Sequence, residues 1–185
     1  MTNADREKWD RKYQQAVLAQ DVSKVVETYA EFFPRQGNAL DVAGGAGRHA
    51  VWMAERGLDV TLVDVSRQGL MQAEARAERA GVSIETICQD LDEGIPEGPW
   101  DLIFSNLFFD RTLFPSFQQS LAPGGRLIVI QPTQTNATRH ASPPMRFLPA
   151  DDELPSLVKE LEIVRYDNDW LQEGRFDAVL IAESL

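Results

Sequence analysis

The apolar positions of this chain alternate between short β-branched runs and longer stretches with helical spacing. Leu40 to Ala43, Leu58 to Val63 and Val82 to Cys88 each read as a buried strand. A helical stretch runs from the end of the first strand to Gly57. A second fills residues 66–81, where Ser66 can cap the start, Leu70, Ala73, Ala77 and Ala80 mark one face, and Gly81 can close the end. Strand, helix, strand, helix, strand is the signature of a parallel sheet with right-handed crossovers, which binds ligands beyond the carboxyl ends of its strands.

The pattern continues on both sides of this core. Ahead of it, Trp9, Tyr13 and Val17 share one face of a first helix. Val22, Val25, Val26, Tyr29 and Phe33 share one face of a second, with Asp21 as a possible cap. Behind it, WDLIFSN (100–106) predicts a strand, and Leu113, Phe114, Phe117 and Leu121 predict the buried face of a helix. LAPGGRLIVI (121–130) predicts a turn and a strand that ends near Pro132. Residues 133–149 form a long polar connection, LPSLVKEL suggests a short helix, and LEIVRY and FDAVLIAE are the last two strands, joined by a turn around residues 172–174.

The segment LDVAGGAGRHA (40–50) carries the chemistry. An apolar run ends in three glycines and passes at once into a helix, which puts bare backbone and unpaired N–H groups where an anionic ligand group can approach. This is a nucleotide-type cofactor loop, although Gly45-x-Gly47-x-x-Ala50 also satisfies the relaxed dinucleotide fingerprint. Asp41, Asp64 and Asp90 sit at or near the ends of the three strands, so three acids converge on one edge of the sheet. Each could instead cap the helix that follows it.

Taken in order and spacing, these motifs resemble the class I S-adenosylmethionine-dependent methyltransferases over nearly the whole length. Asp41 with Gly44, Gly45 and Gly47 resembles their first motif, with Ala43 where the family most often has its first glycine. Asp64 resembles the acid ending strand two and Asp90 the acid after strand three. The resemblance implies a doubly wound α/β fold of the Rossmann-like type, seven strands in the order 3-2-1-4-5-7-6 with the final strand antiparallel. It also implies S-adenosylmethionine (SAM) as cofactor and a methyltransferase activity. KWDRKY near the start and MRFLPADDELPSL (145–157) further resemble a small-molecule branch related to the tellurite-resistance methyltransferases.

Carried onto this sequence, the resemblance assigns the ribose hydroxyls to Asp64, with Val65 beside it, and the adenine amino group to Asp90 and the backbone at Leu91. Asp41 is expected to hold the methionine amino group, directly or through water, with the backbone from Ala43 to Gly47 against the tail. Trp9 and Tyr13 are either core residues or a lid over that tail, the lid being formed by residues 1–36. Asn106, followed by Leu107 and Phe108, would lie beside the transferable methyl unless it is an ordinary turn residue. This position lacks the Asn/Asp-Pro-Pro-Tyr sequence of enzymes that methylate amino groups of adenine or glutamine.

Composition narrows the partners. One domain of 185 residues is expected, with a net charge of −11 that argues against nucleic acid and for a small-molecule substrate. Within residues 133–149, however, Arg139, His140 and Arg146 occur with no Asp or Glu. That loop could attract an anionic acceptor at Arg139 and Arg146, or neutralise acids of the protein itself. One cysteine and two histidines offer neither a disulfide nor a zinc cluster. Cys88 is expected to be a buried small residue, and Asp110 lacks identifiable partners for a magnesium site, so no metal is expected. No segment reads as a leader or a membrane span, which suggests the cytoplasm. Two other functions fit the loop: a nicotinamide-dependent oxidoreductase, disfavoured by the absence of any Tyr-x-x-x-Lys, and a SAM-binding regulatory module without turnover.

Overall fold

The computed structural model describes residues 3–15, 21–172 and 174–185. Val17, assigned to the first helix face, lies outside them. The chain divides into two compact units, Met1–Pro96 and Glu97–Leu185.

The first unit holds α1 (Asn3–Gln15), α2 (Lys24–Thr28), β1 (Asn38–Val42), α3 (Arg48–Glu55), β2 (Asp59–Asp64), α4 (Arg67–Ala80) and β3 (Glu85–Cys88). β1 pairs in parallel with β2, Asp41 opposite Leu62, and β2 in parallel with β3, Asp64 opposite Cys88. Leu40, Val42, Leu62 and Val63 are fully buried, as a parallel strand covered on both faces requires. Each such side chain stabilises the fold by roughly 1.5–3 kcal/mol relative to exposure.

Helix α4 begins and ends as its sequence dictates. The Ser66 hydroxyl accepts from the Gly69 N–H at 3.1 Å, and Gly81 closes the helix in the left-handed conformation. Its buried face differs by one residue from expectation. Ala80 is exposed and Arg76 is buried instead, because the arginine's long apolar stem covers more of the neighbouring helix than a methyl group. The second helix is also shorter than its pattern. α2 starts after Ser23, so Asp21 is not its cap, and it gives way to a 3-10 turn at Ala30–Phe32. β3 begins at Glu85 rather than Val82 and is an edge strand, which leaves Cys88 exposed rather than buried.

The second unit holds β4 (Trp100–Asn106), α5 (Phe114–Ser120), β5 (Leu121–Pro132), α6 (Leu154–Leu157), β6 (Glu162–Trp170) and β7 (Phe176–Glu183). β4 runs parallel to β5, while β7 is antiparallel to both β5 and β6. Leu113, Phe114, Phe117 and Leu121 are all buried, but α5 carries only Phe114 and Phe117, since Leu113 falls in the 3-10 turn Arg111–Leu113 and Leu121 opens β5. The Leu121–Gly125 stretch, expected as a turn, belongs to β5. Its backbone is tied to the chain end by Gly124 N–H to Ser184 O at 3.0 Å and Ser184 N–H to Gly125 O at 2.9 Å.

The seven strands follow the order β3-β2-β1-β4-β5-β7-β6, as the family resemblance implies. Among the described residues, no helix is long and apolar enough to cross a membrane.

Candidate functional site

In the first unit the glycine loop turns from β1 into α3. Ala43 has φ 54° and Gly45 and Gly47 have φ 56° and 73°, so three residues of the loop are left-handed and one of them is not glycine. An alanine there costs roughly 1 kcal/mol in backbone strain, which the loop tolerates. Gly44 has no room for a side chain: a Cβ would lie 2.5 Å from Asp41 Oδ2 and 2.8 Å from Leu62. The loop therefore packs directly on the Asp41 carboxylate.

Asp41 is 1% exposed, and its Oδ2 is buried without a hydrogen-bond partner among the described residues. Burial, reinforced by the nearby Asp64 carboxylate, pushes its pKa up to about 8, against a hydrogen bond from Ala50 N–H and the Arg48 charge. A buried carboxylate oxygen with no donor is a site for one, and a ligand ammonium group fits that need.

Asp64 is not the solvent-facing strand end that its position in the sequence suggests. It is 6% exposed, and both oxygens are engaged: Oδ2 accepts from Gly45 N–H at 2.9 Å and Oδ1 from Ser66 N–H at 2.8 Å. Burial raises its pKa, while those two backbone bonds oppose the shift. Each carboxylate oxygen carries two acceptor sites, so a diol can still bond to a group already fixed by the backbone. Asp90 is half-buried and accepts from Asp92 N–H at 3.0 Å, which caps a short 3-10 turn. Val65 and Leu91 are buried and offer only backbone to a ligand.

Trp9 and Tyr13 are half-buried and stack with ring centroids 6.0 Å apart. Tyr13 reaches the glycine loop: a Cβ on Gly45 would strike its hydroxyl, and one on Gly69 would lie 3.1 Å from its ring. Burial and the two carboxylates Asp64 and Asp41 hold its phenol well above the usual range. The indole of Trp9 faces the Lys12 ammonium at 4.2 Å.

Asp10, one helix position past Trp9, escaped the sequence reading. Its Oδ1 accepts from the Ser66 hydroxyl at 2.6 Å and from Gln68 N–H at 3.2 Å, so α1 completes the cap of α4. No local pattern marks an acid for such a partner 56 residues away. His49, also unassigned, is buried against the Ser23 hydroxyl at 3.1 Å, and burial with the Arg48 and Arg76 charges lowers its pKa to about 3.

In the second unit, Asn106 ends β4 opposite Ile130 of β5, and its side-chain oxygen is buried without a partner among the described residues. Leu107 follows at φ 61° and is 45% exposed. Asp110 is occupied as a cap: Oδ1 accepts from Thr112 N–H and its hydroxyl. Among the described residues, no three His, Cys, Asp or Glu side chains are grouped to hold a metal.

The polar connection after β5 is pinned by Asp151, which accepts from the hydroxyls of Thr133 and Thr135 and from Thr135 N–H at 3.2 Å. Burial pushes the Asp151 carboxyl up, but these bonds outweigh it and hold the group below its ordinary value. Arg139 lies over the Trp170 ring at 3.6 Å and Arg146 over Phe147 at 4.7 Å.

Residues 39–125 match the family described as a methyltransferase domain. The chain is 37% identical over 123 residues to the tRNA 5-carboxymethoxyuridine methyltransferase of Escherichia coli (strain K12), which covers 61% of this chain and 46% of that protein. It thus spans less than half the length of the curated relatives it matches. TehB from Haemophilus influenzae superposes with a TM-score of 0.74 at 20% identity, over 97% of this chain and 67% of that one. The N-methyltransferase NodS from Bradyrhizobium japonicum, solved with S-adenosyl-L-homocysteine, does so with 0.72 at 17%, over 97% of each chain. At such identities the likeness to both is one of fold, and the narrower tellurite-resistance resemblance extends no further than that. Strand order, glycine loop and family match thus agree on a methyltransferase domain over residues 39–125, set in the Rossmann-like methyltransferase fold.

Proposed function

We propose that this chain binds SAM at its glycine loop and transfers the methyl group to a small, anionic acceptor. The observation that carries this reading is the Asp41 oxygen, buried under the loop and lacking a donor. Bound SAM supplies a methyl group already activated on a sulfonium sulfur. The protein's task is therefore to align donor and acceptor and to exclude water, and a dedicated general base is optional. A soft nucleophile that arrives as an anion needs none.

Asp41 receives the tail ammonium, and the backbone from Ala43 to Gly47 lines the tail. Asp64, fixed by Gly45 and Ser66, accepts from the ribose hydroxyls. Asp90, Val65 and Leu91 face the adenine. Tyr13 and Trp9 close over the tail as part of a lid formed by residues 1–36, and the whole span 1–185 works as one methyltransferase domain in the cytoplasm. Asn106 offers an acceptor oxygen to a donor on either substrate, and Arg139 and Arg146 attract the acceptor's negative charge.

The Escherichia coli relative is named for a tRNA substrate, whereas the net charge of −11 favours a small acceptor here. Calorimetric titration with SAM, S-adenosylhomocysteine and NADH, followed by transfer assays with labelled SAM, tests the reading. The acceptors are thiols, metalloid oxyanions, small carboxylates and bulk tRNA. NADH binding tighter than SAM overturns the cofactor, and SAM binding without transfer to any acceptor leaves a regulatory module. Label found only in tRNA overturns the small acceptor.

A further inference from the structure

Six arginines belong to the second unit, and four are committed to carboxylates. Arg111 bonds Glu153, Arg126 bonds Glu183 at 2.9 Å, Arg165 bonds Asp167 at 2.5 Å, and Arg175 forks onto Asp177 at 2.9–3.1 Å. Arg139 differs. Among the described residues it pairs with no carboxylate, and its guanidinium instead lies on the Trp170 indole, 3.6 Å from the ring centroid. In a chain so rich in acids, a guanidinium kept off every described carboxylate retains its full set of in-plane N–H donors.

The surroundings fix that orientation. Asn136, 1% exposed, accepts from Arg139 N–H at 3.2 Å and His140 N–H at 3.0 Å through its carbonyl, and from Phe176 N–H at 3.2 Å through its side chain. His140 Nε2 bonds Gly174 O at 2.7 Å, and Trp170 packs edge-on to Phe176 at 5.5 Å. The connection is thus stapled to the β6–β7 hairpin on both sides of Arg139. Trp170 pairs with Phe176 at the end of that hairpin, one step beyond the pair of Asp177 with Pro132 that closes β5. The cluster accordingly stands at the carboxyl edge of β5, the edge at which open α/β sheets bind ligands.

We propose that Arg139, held against the face of Trp170, is a fork for the oxyanion of the methyl acceptor, a carboxylate or a phosphate, and that Trp170 is its positioning residue. A stacked guanidinium presents two parallel N–H donors outward, the geometry that matches such a group in bidentate fashion. Stacking also removes the conformational freedom that an exposed arginine otherwise loses on binding. The inference rests on the methyltransferase reading only in calling the oxyanion part of the acceptor.

The test uses the full chain and two probes, acetate and inorganic phosphate, each titrated against sodium chloride of equal ionic strength. The side-chain N–H resonances of Arg139 and Trp170 are followed by NMR. Saturable shifts of both with either probe are expected; the probe that saturates first identifies the headgroup. Arg139→Gln should abolish them, Trp170→Leu should weaken binding about tenfold, and Trp170→Phe should restore most of it. Shifts no larger than those in chloride, or shifts that persist in Arg139→Gln, overturn the fork, and equal binding in Trp170→Leu overturns the positioning role. Calorimetric SAM binding is measured on the same samples. Its loss in the unaltered chain would refute the methyltransferase reading without touching the oxyanion result.

Discussion

Tyr13 rests its hydroxyl on Gly45 and the edge of its ring on Gly69, so one side chain of α1 occupies the space that two glycines leave open. The Asp10 cap and a bond from the Gln72 amide to Tyr13 O hold the helix there.

If α1 closes over the bound methionine tail, Tyr13→Ala removes the cover and SAM affinity should drop about tenfold, chiefly through faster release. Titration calorimetry with stopped-flow dissociation reads both quantities. Tighter binding would show instead that Tyr13 competes with the cofactor for the Gly45 cradle.

Asp41 makes binding pH-dependent. With its pKa pushed up to about 8, it is protonated at neutral pH, whereas a bound ammonium favours the carboxylate. SAM affinity should therefore rise between pH 6 and pH 8, roughly, and then level off, with about one proton released at pH 7. Calorimetry in two buffers of different ionisation enthalpy counts that proton. The sign for folding is the opposite. Because the folded value lies above the ordinary 3.8, this group stabilises the ligand-free fold fully below that pH, and the contribution is lost as pH rises through about 8.

Asp64→Ala should damage both cofactor binding and the fold. The Gly45 and Ser66 N–H groups lose their acceptor in a buried setting, at a cost of roughly 1–3 kcal/mol for each one left unsatisfied. Urea unfolding should show a lower midpoint with an unchanged slope, together with at least a tenfold loss of SAM affinity. A variant as stable as the parent would mean that water replaces the carboxylate at both donors.

Asp151→Ala should free the connection after β5. It removes the acceptor shared by Thr133 and Thr135. Limited trypsin digestion should then cleave after Arg139 and Arg146 much faster than in the parent, with SAM affinity unchanged. An unaltered digestion pattern would place the anchor at Asn136 alone.

The strands were legible where burial on both faces leaves an unbroken apolar run: 100–106 and 176–183 read directly as β4 and β7. Legibility failed where neighbours decide. β3 lies at a sheet edge and pairs with β2 only from Glu85 onward, so Val82 to Ile84 of the expected run stay outside it. Arg76 replaced Ala80 because packing rewards length over polarity. In the site, the glycine loop and its three acids stand where their motif implies, but the burial of Asp64 depends on backbone donors from two other segments. Asp10 and Trp170 act through partners 56 and 31 positions away, respectively, and no local pattern marks either.

The one thiol of the chain, Cys88, lies exposed at the carboxyl end of β3, paired in register with Asp64. A strand end that buries its carboxylate and exposes its cysteine carries a built-in point of attachment. A small fluorophore coupled there through a maleimide would sit one strand from Asp64, so a change in its emission on titration with SAM would report occupancy of the glycine loop in real time without any engineered residue.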